Sequence, residues 1–141
     1  MNDLRFDGQV ALVTGAGRGL GRAHARLLAA RGCTVVINDL GAAFDGTGAA
    51  TGRCADEVVA LIQAEGGTAT ANYDSVENGQ AIIDDVMATH GRLDIVINNA
   101  GICYHEPAIE VSPARFLEVM NVNVNGVWFC SQIVGRKMLT Q

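Results

Sequence analysis

The stretch Thr14-Gly15-Ala16-Gly17-Arg18-Gly19-Leu20-Gly21 puts four glycines among eight residues, directly after the apolar run Val10–Val13. Glycine takes positive φ without a steric penalty and lets another group come close to the main chain, and it weakens any helix or strand it enters. Glycines at a strand-to-helix joint therefore point to a ligand held against backbone N–H groups. A helix N-terminus, with its free amides and positive dipole end, favours a phosphate there. The spacing G-x-G-x-x-G does not fit, because counting from Gly15 puts Leu20 at the third glycine and counting from Gly17 puts Arg22 there. What fits is T-G-x-x-x-G-x-G, with glycines at 15, 19 and 21 and a helix starting at about Gly19.

Asp39 closes the next apolar run 24 residues after Gly15. A carboxylate there can accept both hydroxyls of an adenosine ribose and repels a 2′-phosphate, so the pairing with the glycine loop points to NAD over NADP. Leu40 offers no positive charge to reverse this. Arg18 pulls the other way, because a basic residue beside the phosphates helps NADP, but Asp39 would stand next to the 2′ position itself. A third group, Asn98-Asn99-Ala100-Gly101, follows the last apolar run. Asparagine and glycine at such a place also suit a plain turn. Asp39 likewise suits a strand-end turn.

The elements that must position these residues alternate. Apolar runs at Val10–Val13, Thr34–Ile37 and Leu93–Ile97, with a weaker one at Thr68–Tyr73, fit parallel strands buried on both faces. Between them lie helical patterns: Ala55, Val58, Val59 and Ile62, then Ile82, Ile83, Val86 and Met87. Leu20, Ala23, His24, Leu27 and Leu28 form a stripe expected to flank the core. Gly32, Gly66–Gly67 and Gly91 stand where left-handed C-caps are wanted. A last helix starts with Ser112 as N-cap and Pro113 in its first turn, and Phe116, Leu117, Met120, Val124, Val127 and Trp128 run down one side.

The order β-α-β-α-β-α-β-α implies right-handed crossovers and an α/β, Rossmann-like doubly wound parallel sheet. Its strand ends, Thr14–Gly15, Asp39, Asp74 and Asn98, would line one crevice where the strand order reverses. A long loop is expected from Leu40 to Arg53. Leu93–Ile97 would be an exposed apolar edge if the first strand lies on its other side. The helical pattern also runs on to Met138 without a cap. The expectation is thus one domain over residues 1–141, the N-terminal half of a larger fold.

The net charge of −5, with nine scattered arginines and Lys137 as the single lysine, argues against nucleic acid or an anionic membrane as partner. No apolar stretch approaches the ~18–20 residues of a membrane span. The charged start, Met1-Asn2-Asp3-Leu4-Arg5-Phe6-Asp7, does not read as a secretory signal. Cys33, Cys54, Cys103 and Cys130 have no C-x-x-C spacing, and the three histidines have no ligand-like spacing, so no metal site is expected. Four reduced thiols fit a cytoplasmic protein.

The chain resembles the short-chain dehydrogenase/reductase family over its whole length. The resemblance is carried by Thr14–Gly21, by Asn98–Gly101 and by Val122-Asn123-Val124-Asn125-Gly126. Val36–Gly41 and Ala71–Val76 are similar, more narrowly, to the (3R)-hydroxyacyl-CoA dehydrogenase units of peroxisomal multifunctional enzymes and their bacterial relatives. The resemblance implies that Gly15, Arg18, Gly19, Leu20 and Gly21 hold the pyrophosphate and Asp39 the adenosine ribose. It implies Asp74, with Ser75 beside it, on the adenine amino group. Asn98, Ala100 and Gly101 would pass along the nicotinamide-side ribose, and Thr14 would tie the glycine loop to the fourth strand. Asn123 would position a water in a proton relay. The substrate implied is a secondary alcohol or ketone, with an acyl-CoA as the narrower implication, and a homo-oligomer is implied for the full-length protein.

The family's Tyr-x-x-x-Lys pair, in which lysine lowers the pKa of a tyrosine base, is absent: the residues four after Tyr73 and Tyr104 are Glu77 and Ala108. Two further readings therefore stand beside the dehydrogenase, a non-catalytic NAD-binding module and a methyltransferase that binds the adenosine of S-adenosylmethionine. The latter has no use for a pyrophosphate site.

Overall fold

Continuous aliphatic runs become strands because they are buried on both sides. In the computed structural model, which describes residues 4–41 and 53–141, four of them pair in parallel. These are β1 (Val10–Thr14), β2 (Thr34–Asn38), β3 (Thr68–Asn72) and β4 (Ile95–Ile97). The sheet order is β3-β2-β1-β4, so the chain adds strands outward on one side of β1 and then crosses to the other. That reversal falls between β1 and β4, the neighbours registered Ala11 to Ile95 and Val13 to Ile97. β4 has a strand neighbour on one side only, and its three residues are half-buried. The expected long loop after β2 lies, from residue 42 to 52, outside the described residues.

Alternate strand residues feed two cores. Ala11, Val13, Val35 and Ile37 pack with α1 (Gly19–Ala30) and α2 (Arg53–Ala64), chiefly through Ala25, Leu28, Ala29, Ala55, Val58 and Ile62. Val10, Leu12 and Val36 face the opposite side, against α3 (Gly79–His90) and α5 (Val127–Met138), through Ile82, Ile83, Val86, Cys130 and Val134. Each fully buried aliphatic side chain contributes ~1.5–3 kcal/mol, so the sheet is held mainly by these two layers. Gly91 takes the expected left-handed C-cap after α3, at φ 73°.

The α1 stripe is corrected. Gly21, Ala25, Leu28 and Ala29 are its buried face, whereas Leu20 and Leu27 are 73% and 53% exposed and His24 is exposed too. The reason is steric: small residues at 21, 25 and 29 let the helix lie close on the strands, which large side chains would prevent.

The last helix starts as expected, with Ser112 Oγ accepting the Arg115 N–H at 3.3 Å and Pro113 opening α4 (Pro113–Met120). It does not run on regularly. Asn121–Gly126 widen into a π-helical turn before α5. The side-chain bond from Asn125 Nδ2 to Asn121 Oδ1 (2.9 Å) spans this turn. The apolar side of these helices is largely uncovered, with Phe116 and Leu117 each 56% and Trp128 63% exposed. Among the described residues, no helix is long and apolar enough to cross a membrane.

Asp94 fastens the starts of β1 and β4. Its Oδ2 accepts the Val10 N–H at 2.8 Å, and Arg92 donates to both of its oxygens at 2.9 and 2.7 Å. Arg92, and after it the Val10 amide, holds this carboxyl below its ordinary value against the opposing effect of burial. A depressed folded-state value means the stabilisation is present above the ordinary carboxylate range and is lost as acidification protonates the folded carboxyl. Asp94→Asn is expected to lower the urea-unfolding free energy at neutral pH by about 1 kcal/mol. The gap to the parent chain should shrink towards zero as the acid range is crossed.

Candidate functional site

The glycine loop leaves β1 and enters α1 without a side-chain cap on the first helical amides. Arg18 occupies the N-cap position in extended geometry, gives no side-chain cap, and no acidic residue lies in the first turn of α1. A Ser, Thr, Asp or Asn cap would satisfy one of these N–H groups, worth ~1 kcal/mol. Arg18 provides none, so the positive end of the helix faces outward uncompensated.

The three fingerprint glycines divide into two roles. A Cβ on Gly15, which sits at φ 61°, would fall 2.8 Å from Ala100 Cα. One on Gly21 would fall 2.4 Å from the Gly15 carbonyl oxygen and 2.6 Å from Asn99 Nδ2. Both are glycine because the chain packs against itself there. Gly19, at φ 52°, has nothing within 4 Å of its Cβ position and opens on the crevice. Of the three, Gly19 alone has no neighbour within the chain that a side chain would strike.

Thr14 supplies the stitch. Fully buried, its Oγ1 accepts the N–H groups of Asn99 and Ala100, both at 3.0 Å, and donates to the Ile97 carbonyl at 3.4 Å. Asn99 returns the link, with Nδ2 donating to the carbonyls of Thr14 (2.9 Å) and Gly15 (3.1 Å). The amino-acid pattern marks 98–101 as a group but gives no sign that Asn99, rather than Asn98, faces the glycine loop. Asn98 instead donates to Ser131 Oγ on α5 at 3.0 Å.

The other end of the crevice is built on the ends of β2 and β3. Asn38 and Asn72, paired in register and both buried, bond side chain to side chain at 2.8 Å. Asn38 also donates to the Asp74 carbonyl (2.9 Å), and Asn72 donates to the Asp74 carboxylate (3.1 Å) and to Asp85 (2.8 Å). The two amides thereby fix where Asp74 stands. Asp39 accepts the Gly17 and Gly41 N–H groups, each at 2.8 Å, and the Cys54 thiol at 3.2 Å. A carboxylate offers about four acceptor positions, which leaves room for a donor from the crevice. Ser75 caps the short 3₁₀ turn Val76–Asn78.

These groups surround one open crevice of about 530 Å³. Gly15, Arg18, Gly19 and Leu20 of the glycine loop line it, together with Asp39, Asp74 and Ser75 and with Ala100 and Gly101. Thr14, Gly21, Asn98 and Asn123 are not among the residues that line it. Asn123 sits in the π-helical turn and pairs with the Ile102 backbone, accepting its N–H and donating to its carbonyl, both at 2.9 Å. Val76 and Val122, which belong to segments that carry the resemblance, also line the crevice, as do Glu77, Ile102 and Glu118, which no motif marked. Glu118 bonds the Tyr104 hydroxyl, and Arg115 stacks over the Tyr104 ring at 4.4 Å while pairing with Glu106 at 3.0 Å. Burial pushes the Cys33 thiol up to about 11 and raises Cys54 and Cys130 as well. Among the described residues no three His, Cys, Asp or Glu side chains cluster as metal ligands would.

A parallel sheet whose strand order reverses over a bare helix N-terminus defines a dinucleotide-type α/β domain. The chain belongs to the short-chain dehydrogenase family, whose model matches residues 9–141. It is 60% identical over 99 residues to the peroxisomal hydratase-dehydrogenase-epimerase of Neurospora crassa, covering 70% of this chain and 11% of that protein. A short-chain dehydrogenase from Mycobacterium paratuberculosis solved with NAD superposes with a TM-score of 0.86 at 29% identity, covering 97% of this chain and 53% of that one. A metagenomic short-chain oxidoreductase solved with NADP gives 0.84 at 29% identity, over 96% of this chain and 58% of that one. The chain thus spans about half of these solved structures and about a tenth of the fungal relative. The expected cytoplasmic setting is corrected, since the relatives from Neurospora crassa, Mus musculus, Drosophila melanogaster and Saccharomyces cerevisiae bear the names of peroxisomal enzymes. Reduced thiols fit either setting, and that is why cysteine usage pointed the wrong way.

Replacing Thr14 with valine keeps the shape and removes the acceptor of two amides. Thr14→Val is expected to cost about 1–3 kcal/mol in urea unfolding, with Thr14→Ser recovering most of it.

Proposed function

We propose that this chain is the NAD-binding part of a dehydrogenase that interconverts a secondary alcohol and a ketone. The single observation that carries the reading is the uncapped N-terminus of α1 opening on the same crevice as Asp39. These residues fit a nicotinamide dinucleotide: the amides from Gly19 onward would take the pyrophosphate, and Asp39 would accept a hydroxyl of the adenosine ribose. Asp74, oriented by Asn72, would meet the adenine amino group, with Ser75 beside it. Asn98, Ala100 and Gly101 would pass along the nicotinamide-side ribose. Gly21 and Thr14 would act by holding the loop in shape. When bound, the nicotinamide ring supplies the hydride acceptor of the reaction. Solved relatives hold either NAD or NADP. Asp39 supports NAD here, against the pull of Arg18.

Asn123 is assigned to the proton relay. Its amide keeps one lone pair and one N–H beyond its two bonds to Ile102, enough to hold a water. The substrate class, a 3-hydroxyacyl-CoA, follows from the narrower resemblance at Val36–Gly41 and Ala71–Val76. In a longer protein the uncovered side of α4 and α5 would serve a helix-to-helix contact between copies.

The second reading, a binding module without turnover, is favoured by one fact: neither tyrosine is followed four residues later by lysine. For residues 1–141 taken alone it is the reading adopted, and this chain is expected to bind without oxidising alcohols.

Calorimetry on the folded chain should show heat with NAD and none with S-adenosylmethionine. Asp39→Ala should weaken NAD at least tenfold, the worth of one charge-assisted hydrogen bond. A folded chain that gives no heat with NAD contradicts the proposal. Turnover of a secondary alcohol by residues 1–141 alone would contradict the assignment of its catalytic groups.

A further inference from the structure

We propose that Cys54 is a positioning residue that sets Asp39 for an unphosphorylated adenosine ribose, an inference that rests on the dinucleotide reading above. Cys54 stands second in α2 and is 5% exposed. Its Sγ lies 3.2 Å from Asp39 Oδ1, the oxygen that also accepts the Gly41 N–H at 2.8 Å. The other oxygen, Oδ2, accepts the Gly17 N–H at 2.8 Å. Three segments, the glycine loop, the end of β2 and the start of α2, thus converge on one carboxylate and fix its plane.

The direction of the sulfur bond follows from chemistry. An ionised carboxylate has no proton to give, so the thiol is the donor. Burial, and then Asp39 itself, raise the thiol above its ordinary value, which keeps it protonated at neutral pH and adds no negative charge beside the ribose position. The packing is close on every side. A Cβ on Gly17 would fall 2.6 Å from Cys54 Sγ and 2.8 Å from Asp39 Oδ2. This accounts for Gly17, the one glycine of the loop that the T-G-x-x-x-G-x-G pattern does not use. It also shows that the thiol fills its corner rather than drifting in it.

The same corner contains a competitor. Arg18 acts electrostatically on Cys54, in the direction opposite to Asp39, and lines the crevice with it. A guanidinium there favours a 2′-phosphate, and a fixed carboxylate opposes one. With the thiol removed, Asp39 loses one of the three restraints it has among the described residues and can swing towards Arg18, which weakens the grip on the ribose hydroxyl and relaxes the exclusion of phosphate.

The test is calorimetry on the 141-residue chain with NAD and NADP, with urea unfolding as the check of folding. Cys54→Ala is expected to weaken NAD about fivefold and to narrow the preference for NAD over NADP by a similar factor, the scale of one hydrogen bond. Cys54→Ser, which keeps a donor, should restore both. In an Asp39→Ala background, Cys54→Ala should change NAD binding no further, because its action runs through that carboxylate. Should Cys54→Ala fail to fold, Cys54→Val takes its place with the same expectation. An unchanged NAD-to-NADP ratio, tighter NAD binding, or additive losses in the double substitution overturns the inference and leaves the dinucleotide reading standing. Failure of the parent chain to bind NAD overturns both.

Discussion

The hydroxyl of Thr14 accepts the N–H groups of Asn99 and Ala100, and the side-chain amide of Asn99 donates to the carbonyls of Thr14 and Gly15. These four bonds join the ends of two strands that are far apart in sequence and adjacent in the sheet. They press the glycine loop so close to the 98–101 segment that neither Gly15 nor Gly21 has room for a methyl group. Buried amides without partners are costly, so one side chain that satisfies two of them removes the main objection to folding the loop this way. The start of α1, the floor of the crevice and the placement of Gly19 all depend on that join.

What the join leaves open is electrostatic. The crevice is lined both by positive groups, the uncapped start of α1 and Arg18, and by the carboxylates of Asp39 and Asp74. The chain gives up the capping energy at α1, yet among the described residues three donors converge on Asp39 and two buried asparagines bond Asp74, one at its backbone carbonyl and one at its carboxylate. A site whose acceptors are fixed and whose donors are free is suited to a ligand with phosphates at one place and hydroxyls at another. Binding that fills the bare amides also stabilises the fold by mass action.

Much of this arrangement is legible in the amino-acid order. Runs such as Val10–Val13 and Thr34–Ile37 declare themselves because burial on both faces leaves no polar alternation to confuse them. Gly91, Ser112 and Pro113 punctuate helices by local chemistry alone. The departures are all tertiary. The stripe on α1 misleads because close approach to the sheet selects Gly21, Ala25 and Ala29 over the larger Leu20 and Leu27. The π-helical turn at Asn121–Gly126 falls in an apolar periodicity that reads as regular helix, and Asn123 within it pairs with Ile102, 21 residues away. Cys54 gives no signal either: a single cysteine near a helix start says nothing until Asp39 and Gly17 are seen against it.

The central claim is that the first amides of α1 receive a pyrophosphate, and amide chemical shifts under titration test it most directly. ADP-ribose should move the Gly19 and Leu20 N–H resonances strongly, while adenosine, which lacks the phosphates, should move residues around Asp39 and Asp74 and leave those two in place. Equal responses to both ligands, or shifts confined to residues outside the crevice, would contradict it.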